Sequence, residues 1–363
     1  MWQFVFKSCP DIIQMAAFFL YKKIFGGFNM ILKTHKKRLA LLLGSLFILG
    51  ACTDHTEIES SSASAEGDLP YIGIMQLISH PALDDITDGI IDQLETEGYI
   101  DGQTATIDLQ NAQGDQSNMQ AIAERFISND AAITVGIATP AAQALASMTS
   151  DIPIIMGAIT DPLAANLVAS MEEPGANVTG VSDQIPLEEQ YDLIMKLVPE
   201  IESIGFLYSS SEDNSLSSAT QAEEIATSLG LNVVTKTVNS ANEIPQIAES
   251  LASEVDAIWV PTDNIIATGM SALIEVTDAY QIPVFPSVDT MVEEGGLAAI
   301  GLNQYAIGTQ TGAVAVDVLE GADPSSYAIQ YPSEIEKIIN IKTAKNLGIT
   351  IPDEILEGAI IFE

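Results

Sequence analysis

The sequence predicts an α/β fold of two doubly wound parallel-sheet lobes joined by a multi-crossing hinge. From Tyr71 onward, short and nearly continuous apolar runs alternate with amphipathic stretches of helical length, the pattern of parallel strands covered on both faces by helices. The alternation also runs too long for one sheet of common size, so two sheets must share it.

In chain order the candidate strands are Ile72–Leu77, Thr106–Gln110, Ala132–Ala138, Ile154–Ala158, Val178–Val181, Ile204–Tyr208, Asn232–Val238, Ala257–Val260, Val284–Phe285 and Leu297–Ile300. Helical segments between them include Leu83–Glu97, Gln116–Ser128, Leu187–Leu197, Leu216–Leu229 and Ile265–Tyr280. The break between lobes is expected near Ser182–Leu187, which puts one lobe at about 69–182 and the other at about 187–302. Tyr305–Gly321 reads as a helix returning to the first lobe, over about 305–330. Glu334–Lys342 reads as a strand or connection to the second, which then covers about 334–363. In open α/β sheets ligands bind beyond the carboxyl ends of the strands, so two facing lobes surround one cleft.

The residues at those strand ends are the candidate ligand groups. After the first strand, which ends near Gln76, comes Ile78-Ser79-His80-Pro81-Ala82-Leu83. Pro81 suits a first helical residue with Ser79 or His80 as its cap, and His80 is equally placed to touch ligand. In the polar loop Asn111–Asn118, Asp115 is expected to cap the next helix and Asn111 is a cleft candidate. The sharpest pattern is Ile137-Ala138-Thr139-Pro140-Ala141, where a strand ends, a hydroxyl residue takes the cap and a proline opens the helix. Small residues there leave the first N–H groups, near Ala141, accessible. Such a start is either a well-capped structural helix or a seat for an anion. Thr160-Asp161-Pro162 repeats the idea. The second lobe offers Tyr208-Ser209-Ser210, Val260–Asn264 and Ser287-Val288-Asp289. Asp263 and Asp289 serve there either as N-caps or as partners of a ligand ammonium, since a buried charge has to be paired. Trp259, inside a strand run, is expected in the core.

Composition removes most other chemistry. The two cysteines, Cys9 and Cys52, both precede the folded part, so it holds no disulfide and no thiolate metal site. Of three histidines only His80 falls in it. No G-x-G-x-x-G, Walker loop, H-E-x-x-H or G-x-S-x-G occurs, so no cofactor or hydrolase is indicated. An enzyme on this chain would have to run on carboxylates and hydroxyls such as Asp161 with Asp263, and no motif supports one.

Lys33, Lys36, Lys37 and Arg38 precede an apolar run, Leu39–Gly50, in the order of a secretory signal, and the run is too short to span a bilayer. The signal is expected over 30–51, starting at Met30. Residues 1–29 read as a start site assigned too early, the alternative being a genuine extension with Ile12–Leu20 as a second membrane element. Leu49-Gly50-Ala51-Cys52 resembles the bacterial lipobox, whose cysteine is lipidated and becomes the mature N-terminus. A Ser/Ala/Glu-rich tether then runs to Asp68.

Further residues carry a resemblance over essentially all of Tyr71–Pro352. Ile72-Gly73-Ile74 through His80-Pro81-Ala82-Leu83, Asn111–Asn118, Ile137–Gln143, Thr160-Asp161-Pro162, Asn177–Asp183, Val260–Asn264, Ser287–Asp289 and Ile349-Thr350-Ile351-Pro352 resemble the ABC-transporter substrate-binding lipoproteins often labelled tryptophan/tyrosine transporters. The resemblance implies a type I periplasmic-binding-protein fold and a lipid-anchored protein on the outer face of the bacterial cytoplasmic membrane. Such a protein delivers a small solute to a permease with its ATPase, acts as a monomer and performs no catalysis. It implies capture of a zwitterionic, aromatic amino acid. Thr139, the N–H groups near Ala141 and Thr160 would seat the carboxylate, Asp289 helped by Asp263 the ammonium, and Gln76, His80 and Asn111 the side chain. Asn303 stands where many relatives are expected to carry aspartate, a departure that bears on the ligand. A sensory or adhesive surface protein on the same scaffold is the competing reading.

The chain carries 13 Lys and Arg against 50 Asp and Glu. Seven of the cations and one of the anions, Asp11, precede Cys52, so the remainder holds 6 cations and 49 anions, a formal −43. Such a surface repels nucleic acid and also repels itself unless salt screens it. The melting temperature is therefore expected to rise monotonically with added sodium chloride; a salt-independent transition would contradict this reading.

Overall fold

The computed structural model describes residues 69–332 and 335–363, which leaves the signal, Cys52 and the tether outside the described residues. The first sheet is built from β1 (Tyr71–Gln76), α1 (Pro81–Thr96), β2 (Thr106–Asn111), α2 (Gln116–Ser128), β3 (Ile133–Ile137), α3 (Thr139–Met148), β4 (Ile154–Gly157) and β5 (Val178–Gly180). Its five strands are parallel in the order β2-β1-β3-β4-β5. Ile72, Ile74, Val135, Ile137, Ile154 and Ile155 are fully or almost fully buried between the helical layers. The continuous apolar runs of the sequence are this two-sided burial.

The chain then crosses to α4 (Leu187–Leu197), β6 (Ser203–Ser209), α5 (Asp213–Ser228), β7 (Asn232–Val238), α6 (Ile244–Ala252), β8 (Ala257–Val260), α7 (Asn264–Thr268), α8 (Met270–Tyr280), β9 (Val284–Pro286), α9 (Asp289–Glu293) and β10 (Ala298–Gly301). The second sheet is parallel in the order β7-β6-β8-β9. Trp259 lies fully buried in it, its ring 5.0 Å from that of Phe206. The expected helix Ile265–Tyr280 is two helices, α7 and α8, parted at Gly269. Gly269 stands at the break, as the C-cap of α7 and the N-cap of α8, against the Ile244 side chain of α6.

After β10, α10 (Gln304–Leu319) packs on α1, and β11 (Glu336–Asn340), α11 (Ile341–Asn346), α12 (Asp353–Leu356) and β12 (Ile360–Phe362) complete a three-stranded sheet β10-β11-β12. In it β10 and β11 are antiparallel while β11 and β12 are parallel. The chain thus passes between the lobes three times, after β5, after β10 and after Gln330. Two of these crossings pair like strands. Ser182 N–H donates to Gln330 O and Gln330 N–H to Gly180 O, each at 2.9 Å.

The contact of α1 with α10 is made by glycines. A Cβ at Gly308 would lie 2.2 Å from Ile86 O, and one at Gly89 2.3 Å from Tyr305 O. The helices therefore touch backbone to backbone, which holds α1 rigid at the cleft. Gly308→Ala is expected to cost roughly 1–3 kcal/mol, the scale of overpacking a tight contact, read as a lower urea midpoint with an unchanged slope. An unshifted midpoint would mean that this crossing is looser than described.

Candidate functional site

The carboxyl ends of both parallel sheets converge on one cavity. The first lobe contributes His80, Ala82, Leu83 and Ile86 from the start of α1, Ala138 and Thr139 after β3, Ala158 and Thr160 after β4, and Asp183 after β5. The second contributes Asn214 at the start of α5, Thr262, Asp263, Asn264 and Ala267 after β8, and Val288 after β9, while Gln304 opens α10. No lysine or arginine is among these lining residues.

Local backbone sets the first wall. Ala138 (φ 75°) and Ala158 (φ 59°) end adjacent strands β3 and β4 with positive φ, a conformation that costs alanine of order 1–3 kcal/mol and recurs at functional sites. Ala138 is the N-cap of α3 and has no side chain to offer, so the helix starts without a side-chain cap. The sequence pattern placed Thr139 at the cap and Pro140 first; both stand one position further into the helix. Ala141 is fully buried and its N–H donates to Ala138 O at 3.1 Å, so this amide is not a ligand group.

The second wall is organised by two buried carboxyl groups. Asp263 N-caps α7 by accepting from Ile266 N–H at 2.8 Å, and its other oxygen accepts from Ser209 N–H at 2.6 Å and the Ser215 hydroxyl at 2.7 Å. Its acceptor capacity is thus spent inside the lobe, the N-cap role rather than the ammonium role. Glu212 accepts from Asn264 Nδ2 at 2.5 Å, Asn264 N–H at 3.3 Å and Ile265 N–H at 3.2 Å. Burial first, and then the charge of Asp263, pushes the Glu212 carboxyl well above the usual range. Burial also raises Asp263, against the hydrogen bonds it accepts.

Asp183 differs from both. It is 4% exposed, burial pushes it up to about 6 against the pull of the Thr160 hydroxyl, and its Oδ1 has no partner. Asn214 donates to Thr262 O at 2.7 Å, leaving its Oδ1 without one. His80, kept neutral by burial, meets Asn264 Oδ1 through Nε2 at 3.1 Å, and its Nδ1 is unpartnered. Three buried acceptors therefore border one cavity.

Of the residues expected from sequence, His80, Thr139, Thr160 and Asp263 line this cavity. Gln76 is buried beside it, tied to Ile78 O at 2.9 Å and Asp84 at 2.6 Å. Asn111 is exposed and accepts from Gln113 N–H at 2.8 Å, a turn in the loop. Tyr208 points into the apolar core of the second lobe. Asp161 sits outside the cavity, accepting from Ala164 N–H at 2.9 Å and from the Ser217 hydroxyl of the other lobe at 2.6 Å. Asp289 does not line the cavity; burial and nearby Asp85 push it up to about 6, and it accepts from Thr290 N–H at 2.8 Å. Asn303 caps α10 by accepting from Ala306 N–H at 2.8 Å and borders a separate groove beside the hinge. Sequence reasoning missed Asp183, Asn214, Asn264, Glu212 and Gln304. Asp183 had a usable signal, since it stands just beyond β5, at a strand end like the candidates that sequence did single out.

The lobes touch across the cleft through His80–Asn264, Ser217–Asp161 and Gln143–Asp213, the last at 2.9 Å, and Ala82 packs in the apolar cluster of the second lobe. Two facing lobes, a hinge of three crossings and a polar cavity at the strand ends define a solute-binding protein of the type I periplasmic-binding class. Residues 71–361 match the family of ABC transporter substrate binding proteins, and the chain belongs to that family. It is 37% identical over 318 residues to the tyrosine-binding protein of Clostridioides difficile, covering 86% of this chain and 92% of that one. The ABC domain of Streptococcus pneumoniae in complex with L-Trp is 45% identical and superposes with a TM-score of 0.79, over 81% of this chain and all of that one. A ligand-free, open substrate-binding protein with adhesive properties from Clostridium difficile is 36% identical and superposes at 0.64, over 81% and 99%.

The raised carboxyls fix a pH dependence. An acid whose folded pKa is raised stabilises the fold fully below its ordinary pKa, and that contribution is lost as pH climbs through the folded value. With Asp183 and Asp289 near 6 and Glu212 near 8, this contribution to the ligand-free protein is fully present below about pH 4 and its melting temperature should fall steadily from there to about pH 8. Glu212→Gln should flatten the upper part of that slope; an equally steep slope in the variant would remove Glu212 as its source.

Proposed function

We propose that this protein is the lipid-anchored solute receptor of an ABC importer, tethered through Cys52 to the outer face of the cytoplasmic membrane, and that it closes around a zwitterionic aromatic amino acid. It hands that solute to a permease driven by an ATPase. One observation carries the reading of the ligand: Asp183 holds an unpaired, buried carboxylate oxygen in the same cavity as the uncapped start of α3. An ammonium supplies the charge that Asp183 lacks, with Asn214 Oδ1 as a neighbouring acceptor. With no cation in the wall, the ligand carboxylate falls to the Thr139 N–H and the dipole at the start of α3 and to the hydroxyls of Thr139 and Thr160. Ala82, Leu83 and Ile86 supply an apolar wall for the side chain. The names of the relatives, tyrosine-binding and L-Trp-bound, support an aromatic ligand.

A surface role in adhesion is the second reading, supported by the adhesive relative. Uptake of labelled solute by vesicles carrying the permease and ATPase would separate the two.

The test is a thermal-shift screen against the twenty amino acids, followed by titration of Asp183→Asn. Stabilisation by tyrosine or tryptophan is expected, about 2.7 kcal/mol at a hundred times the dissociation constant. Asp183→Asn should weaken that binding by about 2 kcal/mol or more while leaving the ligand-free protein as stable or more so, because it removes an unpaired buried charge. Undiminished affinity in the variant would remove Asp183 from the ammonium site.

A further inference from the structure

We propose that the ligand must carry a hydrogen-bond donor at the far end of its side chain, received by Nδ1 of His80, so that the site selects tyrosine- or tryptophan-like solutes over phenylalanine-like ones. The inference rests on the amino-acid reading above and narrows it.

A chain of fixed hydrogen bonds sets the state of His80. Glu212 Oε1 and Oε2 receive the backbone N–H groups of Ile265 and Asn264, donors that cannot turn away. Asn264 Nδ2 joins them at 2.5 Å on Oε2, which orients the amide with its oxygen toward His80. That oxygen accepts a proton from Nε2 at 3.1 Å, so the neutral imidazole is the Nε2–H tautomer. Nδ1 is then a bare lone pair, buried at the edge of the cavity with no donor among the described residues. A buried acceptor left unpaired is costly, and a ligand that supplies its donor recovers that cost.

The sheet order keeps the ammonium from being that donor. His80 follows β1 and Asp183 follows β5, three strands away in the order β1-β3-β4-β5. At about 4.8 Å per strand this is roughly 14 Å across the cavity. The seat for the carboxylate, Thr139 and Thr160, lies between, after β3 and β4. An amino acid lying along this row places its ammonium at β5, its carboxylate at β3 and β4, and its side chain over Ala82, Leu83 and Ile86 toward β1. The group that reaches His80 is then the tip of a long side chain. A phenol O–H or an indole N–H satisfies Nδ1 and a phenyl C–H does not.

Calorimetric titration of the purified protein with L-tyrosine, L-tryptophan and L-phenylalanine tests this, in the wild type and in His80→Leu. Phenylalanine should bind at least about tenfold more weakly than the tighter of the other two, and His80→Leu should close that gap by weakening only the donor-bearing ligands. Should His80→Leu fail to fold, histidine-¹⁵N spectra of the wild type give the same answer. The Nδ1 resonance of His80 should move toward a hydrogen-bonded position with the donor-bearing ligand and stay in place with phenylalanine. Equal affinities, a gap that persists in His80→Leu, or an unmoved resonance overturns the donor requirement alone. Absence of binding by every amino acid overturns both this inference and the reading beneath it.

Discussion

Burying carboxyl groups between two lobes is the constraint on which the rest of this structure depends. Closing the cleft takes Asp183, Glu212 and Asp263 out of water, and each must find donors or stay costly. Asp263 and Glu212 find theirs within the second lobe, and in doing so they fix Ser209, Ser215 and the first turn of α7. Asn264, held by Glu212, then meets His80 across the cleft. Asp183 finds no such partner for Oδ1, and the wall around the cavity offers no cation. Such a cavity leaves a buried carboxylate oxygen to be met by a group that brings positive charge or a donor.

Three chain crossings, two of them paired at Val181 and Gln330, join the lobes by little more than backbone. The glycine contact between α1 and α10 meanwhile keeps His80, Leu83 and Ile86 on a rigid element. The groups that line the cavity are held by their own lobes. Of the six cations left after Cys52, none lines the cavity, and three are paired elsewhere: Lys196 with Asp192, Lys236 with Glu254 and Arg125 with Asp108. The dense negative charge therefore bears on solubility and lobe repulsion, not on ligand contact.

Much of the fold was legible because parallel strands announce themselves. All ten expected strands are present within a residue or two, since two-sided burial writes a continuous apolar run into the chain. The short β12 was missed, as its three residues are exposed or only partly buried and end the chain in too short an apolar run. The break at Gly269 was missed because a lone glycine inside a helical pattern is tolerated as often as it ends the helix. The site was half legible. The rule that ligands meet strand ends led to His80, Thr139 and Thr160, all in the cavity wall. It failed to rank the polar residues at each end, because Asn111, Asp289 and Asn303 look in sequence like Asn214, Asn264 and Asp183. What separates them is whether they border the cavity, which depends on how the elements of both lobes pack, and no local pattern records that.

The central claim is that Asp183 receives the charge of the ligand, and a crystal structure of the protein with its bound amino acid tests it most directly. The account predicts the ligand nitrogen within hydrogen-bond distance of Asp183 Oδ1, with the carboxylate at the start of α3. An ammonium bound instead at Asp263 or Asp289, or a ligand carboxylate facing the second lobe, would contradict it.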